Sequence, residues 1–597
     1  MPMETIHTII TIHLKMSLCL IFGLLKVSSI LHAQTAPKIE WQRCIGGKNA
    51  EDSNVIGIGG NIIKTNNGSL IICGNSASND GDISGNHGAG DAWVAMLYPV
   101  GSLAWQKCYG GSLLKEASYN SGFDQASRIT QTSDGGYVFA GSENSNNGDV
   151  IGHIGGIDSA FNGLFHYLQP DAWVVKVDMF GNIEWQSCLG GIASDWAIST
   201  IQTTDGGYVV VGGTESTNEE IRNHGGPIYD SLFPDGVGQD AYFVKLDASG
   251  RKEWERGYGG TGSDFFTSVL QTSDGYILAG GTNSKDGDVK GYHQNIDTGY
   301  RTYDIWIVKI NIGGQIIWQK CFGGTGAEGL GSMIRTNDGA YILCGSTDSK
   351  NDGDVSGHHS GNDGSFTKYN TDVWVLKIDS IGNLLWQKCL GGSRSESASS
   401  IIQTSEGGYI LTGNTTSNDG DVSGNHNNGI TDSTDVWVVK LNSSGDIEWQ
   451  KCLGGSAEDF GNDILQTSDG KFIVYGATKS NDGDVSGNHG SSDYWVVKLG
   501  LANSVESGAA PQMKYVLAYP NPSSNEFYLS LYDPESVKAV QFFNIMGMQV
   551  FPDYKIEASY YLHADTHTLP NGSYIVRITF NNPGFGTEVK KFLIYHQ

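Results

Sequence analysis

Basic residues are scarce: 37 Lys and Arg stand against 64 Asp and Glu, for a formal net charge of −27. A nucleic-acid surface draws on clustered cations to displace counterions from phosphate, so that class of partner is excluded. Long apolar runs are lacking as well. Beyond the N-terminal stretch none reaches the roughly 18 residues that a membrane-spanning helix needs. The motifs HExxH, GxSxG, GxxxxGK[ST] and CxxC are absent, which leaves zinc-protease, esterase, phosphate-loop and dithiol chemistry without a local signature. Cysteine is sparse, and six of the nine (Cys44, Cys108, Cys188, Cys321, Cys389 and Cys452) occupy one position of an internal repeat, where a seventh copy has Gly257. Equivalent sites on successive repeats do not touch, so these thiols are expected to be buried small groups rather than disulfides.

What is present begins with an export signal. After Lys15 comes the apolar stretch MSLCLIFGLL, interrupted by Lys26, and then LHA before Gln34, the pattern of a secretory signal peptide over residues 1–33. Glycine is abundant at 83 residues, against Pro 13, which signals many tight turns.

The phrase WQKCLGG at Trp386 returns with small changes at Trp41, Trp105, Trp185, Trp254, Trp318 and Trp449. Each copy, typified by residues 399–455, holds four short β-branched and aromatic runs: SSIIQT, YILTGNT, DVWVVKLN and IEWQKCLGG. Turn residues separate them, so the spacing predicts a four-stranded antiparallel sheet. In DVWVVKL both alternating sets are apolar, which predicts cover on both faces of the sheet, as between stacked blades. The chain opens with a lone fourth strand, IEWQRC, and the last copy stops after its third, DYWVVKLG. Those two fragments complete one blade if the array closes on itself, which removes the unpaired edge. The repeats over residues 37–500 thus resemble β-propeller repeats of the WD and kelch kind in architecture, without either family's signature. A β-solenoid is the competing shape.

A polar linker at residues 501–514 precedes a segment, residues 515–597, of alternating strands with Pro and Gly turns that suggests a small immunoglobulin-like β-sandwich. Its motifs are YPNP with Pro520, Asn521 and Pro522; NIMG with Asn544 and Gly547; LPNGSY with Pro570, Gly572 and Tyr574; and the terminal strand with Lys591. In order and spacing they resemble the type A C-terminal sorting domain of the type IX secretion system of Bacteroidetes. That resemblance implies recognition of the tail by the secretion machinery and delivery to the cell surface or medium. The fold expected for the whole is therefore all-β, a seven-bladed propeller over residues 34–500 followed by the sandwich.

Function in such folds sits on loops. The loop between second and third strands carries NDGDVSGNH and its close copies, with aspartate pairs Asp80 and Asp82, Asp286 and Asp288, Asp352 and Asp354, Asp419 and Asp421, and Asp482 and Asp484. Closely spaced carboxylates beside Gly turns suit calcium, a hard cation with six to eight oxygen ligands. Capping of turn backbone is the preferred reading of the same residues, and a transition metal at the loop histidines is a third. A further Asp stands two residues before the Trp or Tyr of each third strand, from Asp91 to Asp493, and a carboxylate stands seven before the end of the first strand in six copies. Blade one departs from that rule, with Asp52 displaced. Blades two and three carry longer insertions whose aromatics, Phe161, Phe165, Tyr167, Tyr229 and Phe233, form a candidate patch for stacking on a glycan or a surface protein. The expected function is an exported binding or adhesion protein; the alternatives are a hydrolase or lyase acting on extracellular polysaccharide, or a self-associating surface-layer component.

Overall fold

The computed structural model describes residues 36–594 apart from 52–59, 67, 113–121, 161–164, 218–220, 222–226, 229–235, 294–301, 360–369, 427–432, 501–516, 520–525, 531–536, 558–560 and 581–586. Among the described residues every regular element is a strand.

Seven of the sheets have four strands each in meander order and form the blades of a propeller. Blade six is representative, with strands Glu396–Gln403, Tyr409–Thr415, Asp435–Leu441 and Ile447–Leu453. The first hairpin closes through Gly407, whose φ of +92° is the left-handed conformation that glycine adopts without a Cβ penalty. Each first strand from blade two onward carries a bulge near its middle, between Ala398 and Ser400 in blade six, so the innermost strands bend around the axis. The third strand, DVWVVKL, is buried at every position. Its two faces enter different cores: Trp437 and Val439 pack with Ile342 and Val373 of blade five, while Val436 and Val438 pack with Val474 and Trp495 of blade seven. Each buried Trp or Leu so placed contributes about 2–3 kcal/mol of apolar transfer.

The ring closes through the chain's first described strand. Ile39–Ile45 lies antiparallel to Asp493–Leu499 with Cys44 opposite Trp495, the register that Cys452 and Trp437 adopt within blade six. No sheet edge is left open at the joint, because a fourth strand from the start of the chain completes the sheet at its end.

The C-terminal domain is a sandwich of two four-stranded sheets. Leu529, Phe542, Leu562, Tyr574, Val576 and Phe592 fill the space between them. Asn544 Oδ1 accepts the N–H groups of Met546 and Met548, and Gly547 completes this turn at φ +77°. Tyr574 is buried and donates its hydroxyl to Pro570 O at 2.8 Å. Gly572 opens the adjoining strand. Lys591 lies in the last strand, its backbone opposite Ile575. Pro520, Asn521 and Pro522 lie outside the described residues.

Candidate functional site

The repeated phrase is a set of contacts between neighbouring strands and blades. In WQKC the Gln accepts the indole N–H of the third-strand Trp at 2.8 to 2.9 Å in six blades, as Trp437 Nε1 to Gln450 Oε1. Its amide then reaches a carbonyl of the long loop, as Gln387 to Ser356 O at 3.0 Å. The Trp of the phrase lies against the next blade's outer turn, Trp386 against Gly445, where a Cβ would come within 2.9 Å of the ring. Blade three changes two partners together: Tyr242 replaces the Trp and donates its hydroxyl to Glu255 Oε2 at 2.5 Å in place of the Gln. The eight cysteines among the described residues are free, and all but Cys188 are buried.

The two glycines sit where acidic side chains converge. A Cβ on Gly323 would lie 2.4 Å from Glu328 Oε2 and 2.9 Å from Asp304 Oδ1, and one on Gly324 would meet Asp352 Oδ1. The same arrangement recurs at Gly391 and Gly392. One member of each pair, the first-strand carboxylate, is a hub: Glu328 accepts Gly324 N–H at 3.1 Å and Thr347 Oγ1–H at 2.7 Å, and Glu396 accepts Gly392 N–H and Thr415 Oγ1–H at 2.8 Å. Burial pushes these carboxyls up, to about 7 for Glu51, Glu328 and Glu396, about 6 for Asp195, Asp264 and Asp459, and about 8 for Asp124; the donors pull the other way without cancelling it. The other member is the third-strand Asp. In six blades, at Asp91, Asp171, Asp304, Asp372, Asp435 and Asp493, its Oδ1 is buried without a hydrogen-bond partner. Its Oδ2 takes the ring nitrogen of the loop histidine in five blades, at 2.6 Å for His87, His426 and His489, 2.8 Å for His293 and 2.7 Å for His359.

The loop aspartates of the sequence pattern act as staples between successive blades. Asp286 Oδ1 accepts Thr261 N–H at 2.7 Å, Asp352 accepts Thr325 N–H at 3.0 Å, and Asp419 and Asp482 accept the N–H groups of Ser393 and Ser456 at 2.7 Å. Asp80 accepts Lys48 N–H at 2.9 Å. The second aspartates, Asp82, Asp288, Asp354, Asp421 and Asp484, each donate their own N–H to the first glycine of the preceding connection. Their carboxylates lie against the same connection or a neighbour: Asp354 and Asp421 at 3.3 and 3.2 Å from Gly323 N and Gly391 N, and Asp82 at 3.4 Å from Arg43.

Of the aromatic patch, Phe161, Tyr229 and Phe233 lie outside the described residues. Phe165 and Tyr167 fall on a short strand, Phe165–Leu168, paired with Ile157–Ala160.

Two groups were not singled out from the sequence. In blade one the hub is Glu51, which accepts Gly47 N–H at 3.2 Å and Ser76 Oγ–H at 3.1 Å; Asp52 lies outside the described residues. The signal was the four-residue step from the second glycine, shared with Asp195, Asp264, Glu328, Glu396 and Asp459. The second group lines the axis. A cavity of about 580 Å³ opens there among small residues of the first strands, including Gly331, Ser397 and Ser399. At the position after the bulge four strands place Ser, at Ser199, Ser268, Ser332 and Ser400, and the other two place Arg128 and Asp463; in blade one Asn61 stands just before the first strand. Arg128 borders the cavity, with Nε lacking a hydrogen-bond partner and Nη2 3.5 Å from Gly331 O. Asp463 is held by Ile62 N–H at 3.0 Å, Ile464 N–H at 2.9 Å and Ser400 Oγ–H at 2.5 Å; burial raises its pKa and the Arg128 charge opposes that.

Fold and tail together define a secreted seven-bladed propeller protein, sorted to the outer cell surface or the medium. Residues 517–595 match the family described as the secretion system C-terminal sorting domain. Among curated proteins, an ulvan lyase of Nonlabens ulvanivorans is 29% identical over 198 residues, 33% of this chain and 32% of that protein. The regulatory protein FlaEY of Caulobacter vibrioides is 29% identical over 116 residues, 19% of this chain. The chain thus spans 12% of the length of FlaEY and about a third of the lyase. Among solved structures, a Dyadobacter fermentans protein of unknown function aligns over 78% of this chain and 99% of its own at 9% identity and a TM-score of 0.36. A Fusarium graminearum α-L-arabinofuranosidase aligns over 77% and 98% at 8% identity and 0.35. The propeller assignment rests on the seven sheets.

Proposed function

We propose that the propeller is an extracellular carbohydrate-binding module that takes its ligand at the mouth of the axial channel. The observation that carries this reading is the one basic break in a ring of small polar residues, where Arg128 borders the cavity with Nε unpaired. Convergent polar groups in a cavity within the range of small-ligand sites are what a sugar recogniser needs. The short match to a lyase named for a polysaccharide supports glycan as the ligand class. Catalysis is the less favoured reading. Asp463, the acidic group on the ring, is buried and engaged by three donors, which suits a structural carboxylate better than a general acid or base.

In this reading residues 1–33 are removed on export, residues 34–500 form the propeller, residues 501–514 link it to the tail, and residues 515–597 engage the type IX secretion machinery. The insertions bearing Phe165 and Tyr167 supply a second contact on the loop face. No helix among the described residues is long and apolar enough to cross a membrane.

The full chain should retain members of an extracellular glycan panel without generating new reducing ends or unsaturated products. Arg128→Gln should weaken retention about tenfold, as expected for loss of a charge-assisted hydrogen bond of roughly 1.4 kcal/mol. Replacing Phe165 and Tyr167 together by Ala should weaken it further. Release of products would establish the lyase or hydrolase alternative, and failure to retain any glycan would end the proposal.

A further inference from the structure

Blade two breaks the repeat at a second place. The last residue of the second strand is Ser76 in blade one and Thr214, Thr282, Thr347, Thr415 and Thr478 in blades three to seven, but Glu143 in blade two. Thr347 and Thr415 serve their hubs through a hydroxyl; Glu143 brings a second carboxylate to the end of its blade, opposite Asp171 in the ladder. One oxygen of each of these two carboxylates and Cys188 Sγ, from the fourth strand, all lie within 4.8 Å of one another. His153, from the loop joining the second and third strands, places Nδ1 2.8 Å from Glu143 Oε1 and 3.4 Å from Asp171 Oδ2. The His153 side chain is 3% exposed and both carboxylates are fully buried. Glu143 Oε2 is occupied by Ser145 N–H at 3.0 Å, which turns Oε1 to the cluster. Asp171 Oδ1 has no hydrogen-bond partner.

Two carboxylates gathered away from water repel and lose hydration, and a cation among them removes both costs. The donor set of one sulfur, one imidazole nitrogen and two carboxylates is that of a four-coordinate divalent transition ion, not of calcium. We propose that Glu143, His153, Asp171 and Cys188 form a binding site for a divalent ion of the zinc class. On binding, four bonds form, to His153 Nδ1, Cys188 Sγ and one oxygen of each carboxylate. The thiol proton and the proton that His153 shares with Glu143 leave to water. Such a centre ties three strands of blade two to the base of its long insertion. The other histidine-bearing blades keep the His–Asp pair, and His293, His359 and His426 have a Cys on the same blade's fourth strand, but a Thr stands where Glu143 would supply the fourth donor.

The test is a cobalt(II) titration of the full chain freed of metal by chelator, followed in absorbance and by equilibrium dialysis. One ion per chain is expected, with tetrahedral ligand-field bands and a thiolate-to-cobalt charge-transfer band that zinc displaces. Glu143→Thr installs the residue of five other blades, so it keeps the fold, and it should weaken binding at least tenfold. Cys188→Ser should abolish the charge-transfer band, and Cys321→Ser should leave it intact. Absence of a thiolate band at one equivalent, or titration of Glu143→Thr like the parent, would overturn the site. Should Glu143→Thr fail to fold, the contrast between the two Cys→Ser variants decides the question alone.

Discussion

The buried hubs make the ring sensitive to alkali, and the size of the effect follows from five of them. Glu51, Glu328 and Glu396 titrate at about 7 and Asp264 and Asp459 at about 6 in the folded chain. In the unfolded chain such groups titrate near 4. Their folded values are raised, so the stabilisation they give as carboxylic acids is fully present below pH 4 and is lost as pH rises through 6 and 7. At pH 7 the folded state holds about two more protons on these groups than the unfolded state, a loss of roughly 2–3 kcal/mol per pH unit. Between pH 6 and pH 8 these five give about 5 kcal/mol, most of it from the three glutamates, and Asp124 and Asp195 add to it in the same direction.

Urea unfolding of the full chain across pH 6 to 8 checks this through the midpoint, which should fall steadily. Glu328→Gln provides the internal control. The amide imitates the protonated carboxyl, still accepting Gly324 N–H, and it does not ionise beside Asp304. Whatever the variant costs at pH 6, its deficit relative to the parent should shrink by about 1.4 kcal/mol at pH 8, the share of one group moving through its pKa. A midpoint that stays level or climbs over that range, or a variant running parallel to the parent, would refute the claim that these carboxyls are held protonated.

Asp352→Ala removes the acceptor of Thr325 N–H and Oγ1–H and should cost about 1 kcal/mol, equally with and without added calcium; calcium raising the midpoint of the parent alone would make the aspartate a ligand. In blade three, Tyr242→Trp and Glu255→Gln rebuild the pair used by the other six blades, so a double-mutant cycle on thermal melts should give a favourable coupling of about 1 kcal/mol or more, and additive effects would contradict the paired exchange. On the tail, Ile545, Met546 and Phe551 are 76%, 76% and 81% exposed around one hairpin, an apolar tip unusual on a free surface. Met546→Ser with Phe551→Ser should leave the sandwich folded and lower the secreted fraction measured by immunoblot; secretion at the parental level would remove this tip from the recognition surface.

The blade count and the ring closure were legible because they depend on strand patterns and on the bookkeeping of chain ends. IEWQRC lacks partners in its own neighbourhood, and DYWVVKLG lacks a fourth strand, so a long-range pairing is the economical solution before any coordinates. The carboxylates were legible only as a pattern. An Asp in DGDVSGNH looks alike whether its oxygens face an ion or an amide, and the amide that decides the matter for Asp352 belongs to Thr325, across a whole hairpin. Burial of Glu328 or Asp459 is likewise a property of two adjoining blades rather than of either segment. Glu51 was hidden by measuring from the strand end; measured from Gly47 it falls at the common step.

Repetition itself then divides structure from function. Residues that recur around the ring are largely consumed by it: Gln450 by an indole and a loop carbonyl, Asp482 by a backbone amide, Glu396 by donors from Gly392, Thr415 and Ser417. Nothing in those contacts is left over to recognise a ligand, and seven equal sites would in any case offer no orientation. Specificity requires asymmetry, and asymmetry requires departures from the repeat that leave atoms unpaired. Arg128 on the axis, with Nε unpaired, and the cluster around Glu143, with His153 Nε2 unpaired, meet that condition. Restoring the consensus at either place, Arg128→Ser or Glu143→Thr, should therefore leave the melting profile of the metal-free chain within about 1 kcal/mol of the parent while removing sugar or metal binding respectively. A large loss of stability at either position would mean that the departure serves the ring after all.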